Sequence, residues 1–159
     1  MLAISALKLV KIKMASNKTV MVDTCSIINL IKAESLLSIG AIKDHRFTTT
    51  NDVASEVIRP HQQEELSTTV SLNILEQISV TDIEELKLVV ELTSLKLGLG
   101  ESSCIAVAQS RGWCFCTDEL GRCKEIAKKR LGQNNLLDTN YLLELIKKTQ
   151  HNKIKGENI

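Results

Sequence analysis

The sequence predicts an α/β domain of three layers (α/β/α), in which helices cover both faces of a central five-stranded parallel sheet. Short apolar runs rich in β-branched residues alternate along the chain with longer segments whose apolar residues recur at helical spacing. This alternation is typical of parallel sheets, whose strands are connected by helices. The chain has 159 residues, 43% of them hydrophobic, which suits one domain with one core.

The first elements are a strand, a helical segment and a second strand. The run "TVMV" (19–22) predicts a buried strand because its residues are apolar or β-branched. The segment 26–43 has apolar residues at helical spacing and is long enough for two helices. The run "RFTTT" (46–50) predicts the second strand.

Two polar segments follow the second strand. The segment "NDVASEVIR" (51–59) predicts a helix that is capped by Asn51 or Asp52 and ends before Pro60. The segment at 61–73 predicts either a further helix or an excursion of the chain.

The third strand candidate precedes an amphipathic helix. The run "ILEQISV" (74–80) predicts the strand, and the segment 81–98 predicts a helix that ends at Gly98. The apolar face of this helix is predicted to comprise Ile83, Leu86, Val89 and Val90, and its polar face Glu84, Glu85, Lys87 and Glu91.

The last part of the chain repeats the alternation. An apolar helix closed by Gly112 precedes the fourth strand, "WCFCT" (113–117). A basic helix closed by Gly132 then precedes a short fifth strand (135–137) and the final helix (139–149).

The domain organisation that follows from these elements is simple. We expect one domain over residues 18–150, with an N-terminal extension at 1–17 and a polar C-terminal tail at 151–159.

The charge balance excludes broad electrostatic attraction to nucleic acid. The chain has 20 basic and 19 acidic residues, so its formal net charge is +1. Binding to nucleic acid would therefore depend on a local patch. Aromatic residues make up only 3%, which disfavours a site that stacks bases on rings.

The five cysteines and the N-terminus indicate a reducing compartment. The number of cysteines is odd, and the lysines near the N-terminus follow the short apolar run rather than precede it, unlike an export signal. We therefore expect free thiols, a cytoplasmic location and no membrane partner.

Four acids fall at strand ends or at the helix starts that follow them. Asp23 ends the first strand, Asp118 follows the fourth, Glu101 begins the helix after "GLG", and Glu56 lies in the helix after the second strand. The carboxyl ends of parallel strands share one edge of the sheet, where ligands bind in such folds. Each acid alone could instead be a helix cap or a solvated helix residue.

Clustered carboxylates repel one another unless a cation neutralises them. Oxygen ligands without His or Cys select Mg²⁺ or Mn²⁺, and these ions support phosphodiester hydrolysis. The pattern therefore predicts a catalytic site of Asp23, Glu56, Glu101 and Asp118, in which Asp23, Glu101 and Asp118 bind the metal.

The chain resembles PIN-domain nucleases, and among them the VapC-type toxin ribonucleases. The matching segments are "VMVDTCSIINL", "TTNDVASEVI", "LGLGESSCIAVAQSRGWCFCTDE" and "LLDTNYLLELI", in the family's order. The resemblance implies the strand order 3-2-1-4-5, an acidic Mg²⁺ or Mn²⁺ site, RNA cleavage, a homodimer, and often an antitoxin partner that inserts into the cleft. It also implies that Cys25 or Ser26 lies near the metal.

The sequence departs from this family in a few positions. Glu101 stands where many relatives have Asp, and Glu119 stands where a second Asp is common, so either Asp118 or Glu119 could be the fourth acid. Arg122, one turn past Asp118, could hold an RNA phosphate. The N-terminal extension is unusual for the toxins. The rival hypothesis is a catalytically inactive PIN-like adaptor that binds RNA or protein.

Overall fold

The structure, a computed structural model, describes the backbone of residues 17–157 and the side chains of residues 17–154. Five parallel strands form one sheet in the order β3-β2-β1-β4-β5, which confirms the predicted fold class and strand order. The strands are β1 (Lys18–Val22), β2 (His45–Thr50), β3 (Leu75–Ile78), β4 (Cys114–Cys116) and β5 (Leu136–Leu137).

Helices form a layer on each face of the sheet. In the part of the chain that the structure describes, the α-helices are α1 (Thr24–Lys32), α2 (Asn51–Glu56), α3 (Pro60–Ser71), α4 (Ile83–Ser94), α5 (Leu99–Arg111), α6 (Arg122–Leu131) and α7 (Thr139–Glu157). Short 3₁₀ helices span Leu37–Ala41 and Gln133–Asn135. Helix α1 packs against α3 and α7, whereas α5 packs against α2, α4 and α6.

Strand β1 lies at the centre of the sheet and brings Asp23 to its carboxyl edge. Val20, Met21 and Val22 are fully buried, as expected for a strand covered on both faces. Val22 pairs with Cys116 of β4, and the Asp23 amide donates to the Cys116 carbonyl at 3.3 Å. The ends of β1 and β4 are therefore adjacent, as the site prediction requires.

Helix α5 is the central helix of its layer, and its small residues allow this position. Every residue from Ser102 to Ala108 is buried. Small side chains on all sides of a helix let the sheet and neighbouring helices approach closely. Gly112, which was predicted to close this helix, has a φ of +68° and ends it in the left-handed conformation.

Some predicted boundaries were wrong. The cap of α2 is Thr50, whose side chain accepts from the Val53 amide, rather than Asn51 or Asp52. Helix α2 also ends at Glu56 rather than 59.

Helix α6 begins only at Arg122, because Gly121 has a φ of +73° that interrupts the helical conformation. Glu119 and Leu120 therefore lie in a loop. Helix α7 continues through Glu157, into the segment predicted as a tail. The predicted extension at 1–17 lies outside the described residues except for Asn17.

The predicted apolar face of α4 was wrong in part, because Val89 is buried as predicted but Leu86 is 42% exposed. Ile83 and Val90 are each 68% exposed, whereas Glu85, Val89 and Leu92 are buried. The buried stripe includes a carboxylate because Arg111, at the end of α5, donates to both Glu85 oxygens at 2.9 and 3.0 Å. This ion pair between α5 and α4 allows a carboxylate to lie on the buried face of α4.

Two further observations bear on the expected environment. All five cysteines are free thiols. None of the helices within residues 17–157 is both long and apolar enough to cross a membrane.

Candidate functional site

An acidic cleft of about 290 Å³ opens at the carboxyl ends of β1 and β4. No basic side chain from the described part of the chain lines it. The lining residues are Asp23, Thr24, Cys25, Ile28, Glu56, Glu101 and Glu119.

Asp23 is both a helix cap and a wall of the cleft. Its side chain is 1% exposed, and Oδ1 accepts from the Ser26 amide at 3.0 Å, which caps α1. The Cys25 thiol donates to the same oxygen at 3.0 Å, and the Thr117 hydroxyl donates to Oδ2. Burial raises the pKa of Asp23, and these hydrogen bonds offset only part of the rise.

Glu101 stands in the first turn of α5, where the N-terminus of the helix favours a negative charge. Burial raises its pKa all the same, and the charges of Glu119, Asp23 and Glu56 raise it further, against a hydrogen bond with Cys123. The four acids of the cleft are therefore close enough to repel one another.

Glu56 reaches the cleft from the last residue of α2 and contacts two other elements. Its Oε2 accepts from the Thr24 hydroxyl at 2.5 Å, and its Oε1 accepts from the Gly100 amide at 3.0 Å. The sequence did not predict that Thr24 or Gly100 contacts Glu56. Both residues nevertheless lie in segments that were quoted for the family resemblance, Thr24 in "VDT" (22–24) and Gly100 in "GLG" (98–100).

Asp118 is not among the residues that line this cleft, whereas Glu119 is. Asp118 Oδ1 accepts from the Thr139 amide at 2.8 Å, and Oδ2 accepts from the Thr139 hydroxyl and from Asn29 Nδ2 at 2.6 Å. Burial alone would raise the pKa of Asp118, but these hydrogen bonds outweigh it and the pKa is lowered. The sequence favoured Asp118 over Glu119 as the fourth acid because Asp118 is nearer the strand end, but the fourth carboxylate that lines this cleft is that of Glu119.

Of the other predicted residues, one lines the cleft and two do not. Cys25 lines the cleft, and burial beside Asp23 raises the pKa of its thiol to about 12. Ser26 is fully buried, and its hydroxyl donates to the Cys116 carbonyl at 3.3 Å rather than into the cleft. Arg122 lies outside the cleft and donates to the carbonyl of Leu95 at the end of α4.

The carboxylate oxygens of the cleft are the type of ligand that a hard divalent cation prefers. Four carboxylates line the cleft. Burial raises the pKa of Asp23, and burial together with the charges of the neighbouring acids raises the pKa of Glu101, which a cation would relieve. Within the described residues, however, no three or more acidic, His or Cys side chains are arranged to hold a metal ion together. Protein donors already engage the oxygens of Asp23 and Glu56, but Oδ2 of Asp23 and both oxygens of Glu56 keep a lone pair for a further contact.

Asn29, Thr117 and Thr139 support the acids but were not predicted. Thr117 orients Asp23, while Asn29 and Thr139 hold Asp118. The Thr117–Asp118 neighbourhood was visible as part of the "CTDE" motif. Asn29 and Thr139 carry no local signal, because each meets its acid only through the tertiary fold.

The chain was compared with solved structures and with curated proteins. A crystal structure, that of PAE2754 from Pyrobaculum aerophilum, is similar with a TM-score of 0.49 and 14% sequence identity, over 81% of this chain and 97% of that one. None of the curated proteins matches the sequence.

The family itself is shown by a sequence match. A family model, DUF3368, described as PIN domain, matches residues 19–150, which is most of the chain. PIN domains are generally nucleases. The chain therefore belongs to the PIN-domain family.

Proposed function

We propose that this protein is a metal-dependent endoribonuclease that hydrolyses RNA phosphodiester bonds. The single observation that carries the proposal is the acidic cleft, where Asp23, Glu56, Glu101 and Glu119 converge without a described basic residue. A carboxylate cluster of this kind repels phosphate by itself, so it suits a substrate that arrives with divalent cations.

The roles of the acids follow from their surroundings. We assign Asp23, Glu101 and Glu119 to hold Mg²⁺ or Mn²⁺, and Glu56 to orient the attacking water. When bound, the ion would favour ionisation of water and stabilise the charge on the phosphate. Thr117 and Cys25 keep the Asp23 carboxylate turned toward the cleft. Asp118, by contrast, is assigned to the scaffold that joins α1, α7 and the loop after β4.

The direct test is cleavage of an end-labelled, mixed-sequence RNA with Mg²⁺ or Mn²⁺ and with a chelator. We expect cleavage by the wild-type protein, none with the chelator, and a loss of about a thousandfold in Asp23→Asn, since charge stabilisation at such sites contributes on this scale. Asn can still cap α1, so the variant should fold. An unchanged rate in folded Asp23→Asn would remove the proposal.

The adaptor hypothesis has one observation in its favour. The described residues hold no ready-made metal arrangement, because protein donors already engage Asp23 and Glu56. Calorimetric titration with Mn²⁺ separates the two functions. Binding that depends on Asp23 supports the nuclease, and no binding at millimolar Mn²⁺ supports the adaptor.

The partners and setting are further parts of the proposal. We propose a cytoplasmic protein, supported by its five free thiols. A homodimer is supported by the stripe of Ile83, Leu86 and Val90 on α4, which is exposed although it is apolar. Sedimentation of the wild-type protein and of Val90→Lys tests this, because a dimer through α4 should dissociate in the variant.

The toxin–antitoxin setting is the most specific part. Its support is the resemblance to VapC-type ribonucleases together with an acidic cleft that a cationic side chain could enter. Growth arrest on induction, relieved by co-expression of the neighbouring small gene, would support it. Unimpaired growth on induction of a protein that cleaves RNA in solution would contradict it.

A further inference from the structure

The segment "GLGE" (98–101) contains two glycines, to which the proposed function assigns no role. Gly98 caps α5 and Gly100 is the second residue of the helix. Glycine inside a helix lowers the stability of the helix relative to alanine, so we expect a local structural reason for Gly100.

The space around Gly100 supplies that cause. A methyl group on Gly100 would lie 2.6 Å from Glu56 Oε2 and 2.8 Å from its Oε1, too close for any real contact. The Glu56 carboxylate therefore occupies the volume that a side chain at position 100 would take. Gly98 is different, because a methyl group there would meet only Glu101 Oε1, at an ordinary 3.9 Å.

The same carboxylate is held from its other side. The Thr24 hydroxyl donates to Oε2 at 2.5 Å while the Gly100 amide donates to Oε1 at 3.0 Å. These donors come from the N-termini of α1 and α5, whereas Glu56 ends the short helix α2. Both oxygens are thus fixed by charge-assisted hydrogen bonds, which are stronger than neutral ones.

We propose that Thr24 and Gly100 are positioning residues that hold the Glu56 carboxylate at the cleft, so that "VDT" and "GLGE" act together through Glu56. The inference rests on the proposed nuclease function for its effect on catalysis. Its structural part, the clamp on Glu56, stands separately. Glycine at position 100 serves close approach of a side chain, and threonine at position 24 supplies a hydroxyl.

The decisive variant is Gly100→Ala, with Gly98→Ala as its matched control. Alanine at position 100 must displace the flexible end of Glu56 but fits the helix, so the melting temperature should stay the same or rise. We expect kcat to fall by about a hundredfold, since small misplacements of a catalytic group have effects of this size, with KM little changed. Gly98→Ala should cleave at the wild-type rate.

The hydroxyl is tested by Thr24→Val and Thr24→Ser. Valine keeps the shape and removes the donor, so kcat should fall by about tenfold, the worth of one hydrogen bond to a charged group. Serine keeps the donor and should restore the rate. A merely structural role predicts a loss of melting temperature instead, without rescue of kcat by serine.

The clamp also has a readout that needs no activity. The Gly100 amide resonance should shift in Glu56→Gln and in Thr24→Val. The proposal is overturned if Gly100→Ala cleaves RNA at the wild-type rate, or if the Gly100 amide resonance does not shift in Glu56→Gln. If the wild-type protein cleaves no RNA but the amide shifts, the nuclease function fails and the clamp stands.

Discussion

Two buried carboxylates in this molecule, Glu85 and Asp23, differ in what balances their charge. Glu85 is 2% exposed and accepts two hydrogen bonds from Arg111, whose guanidinium also lies 4.9 Å from the ring centre of Trp113. Asp23 is 1% exposed, its cleft is lined by three other acids, and its pKa is raised.

A buried charge needs a partner. Glu85 finds its partner within the chain and thereby fixes the contact of α4 with α5. Asp23 receives only hydrogen bonds from Thr117, Cys25 and Ser26. Glu85 therefore belongs to the scaffold, and under the proposed function the charge of Asp23 would be balanced by a cation from solution.

Removal of the positively charged Arg111 side chain should have the largest effect on stability. Arg111→Ala leaves Glu85 buried and unpaired, so the free energy of unfolding should fall by about 3 kcal/mol. Urea denaturation measures it. The matched control is Arg46→Ala, because the Arg46–Glu76 pair is mostly exposed and should contribute less than about 0.5 kcal/mol. Equal losses in both variants would contradict the comparison.

Addition of a cation should stabilise the cleft by a similar amount. At roughly 100 times its Kd, Mn²⁺ should raise the free energy of unfolding by about 2.7 kcal/mol. Asp23→Asn and Glu101→Gln should lose this gain, whereas Asp118→Asn should keep it. Thermal unfolding with and without Mn²⁺ measures this gain in stability. If Asp118→Asn loses the gain, Asp118 rather than Glu119 is the metal ligand.

Asp118 provides an intermediate case, since it is satisfied by hydrogen bonds alone. Asp118→Asn turns an amide group toward the donors of Thr139 and Asn29, so we expect a loss of about 2 kcal/mol in urea denaturation. Glu119→Gln, at the next residue, is the control and should be neutral to within about 0.5 kcal/mol. A destabilised Glu119→Gln would show that these two acids were assigned the wrong way round.

The smallest expected effect is that of Asp23→Asn on stability in the presence of a chelator. Asn caps a helix as well as Asp does, and the buried charge is removed, so the free energy of unfolding at neutral pH should stay equal or rise by up to about 1 kcal/mol. The pKa of Asp23 is raised by folding, so wild-type stability should fall as the pH rises from the unfolded-state pKa through the raised one. The difference between variant and wild type should therefore grow with pH, and a variant that becomes relatively less stable would refute this account.

Local patterns predicted the fold well because they act over short distances. Short apolar or β-branched runs located all five strands, and Gly112 and Gly132 marked helix ends. The face of α4 was mispredicted because hydrophobicity alone favoured Ile83 and Val90 over Glu85. Its burial depends on Arg111, 26 residues away, and no periodicity in α4 contains that information.

For the cleft, the sequence by itself determined that acids follow β1 and β4 and begin α5, because strand ends and helix starts are local features. The tertiary structure alone decided which acids share one cavity. Asp118 and Glu119 are neighbours in the chain, yet Asn29 and Thr139 draw Asp118 aside and leave Glu119 beside Asp23. Likewise, Glu56 meets Thr24 and Gly100 only when three helices converge, because contacts of this kind join residues that are far apart in the sequence.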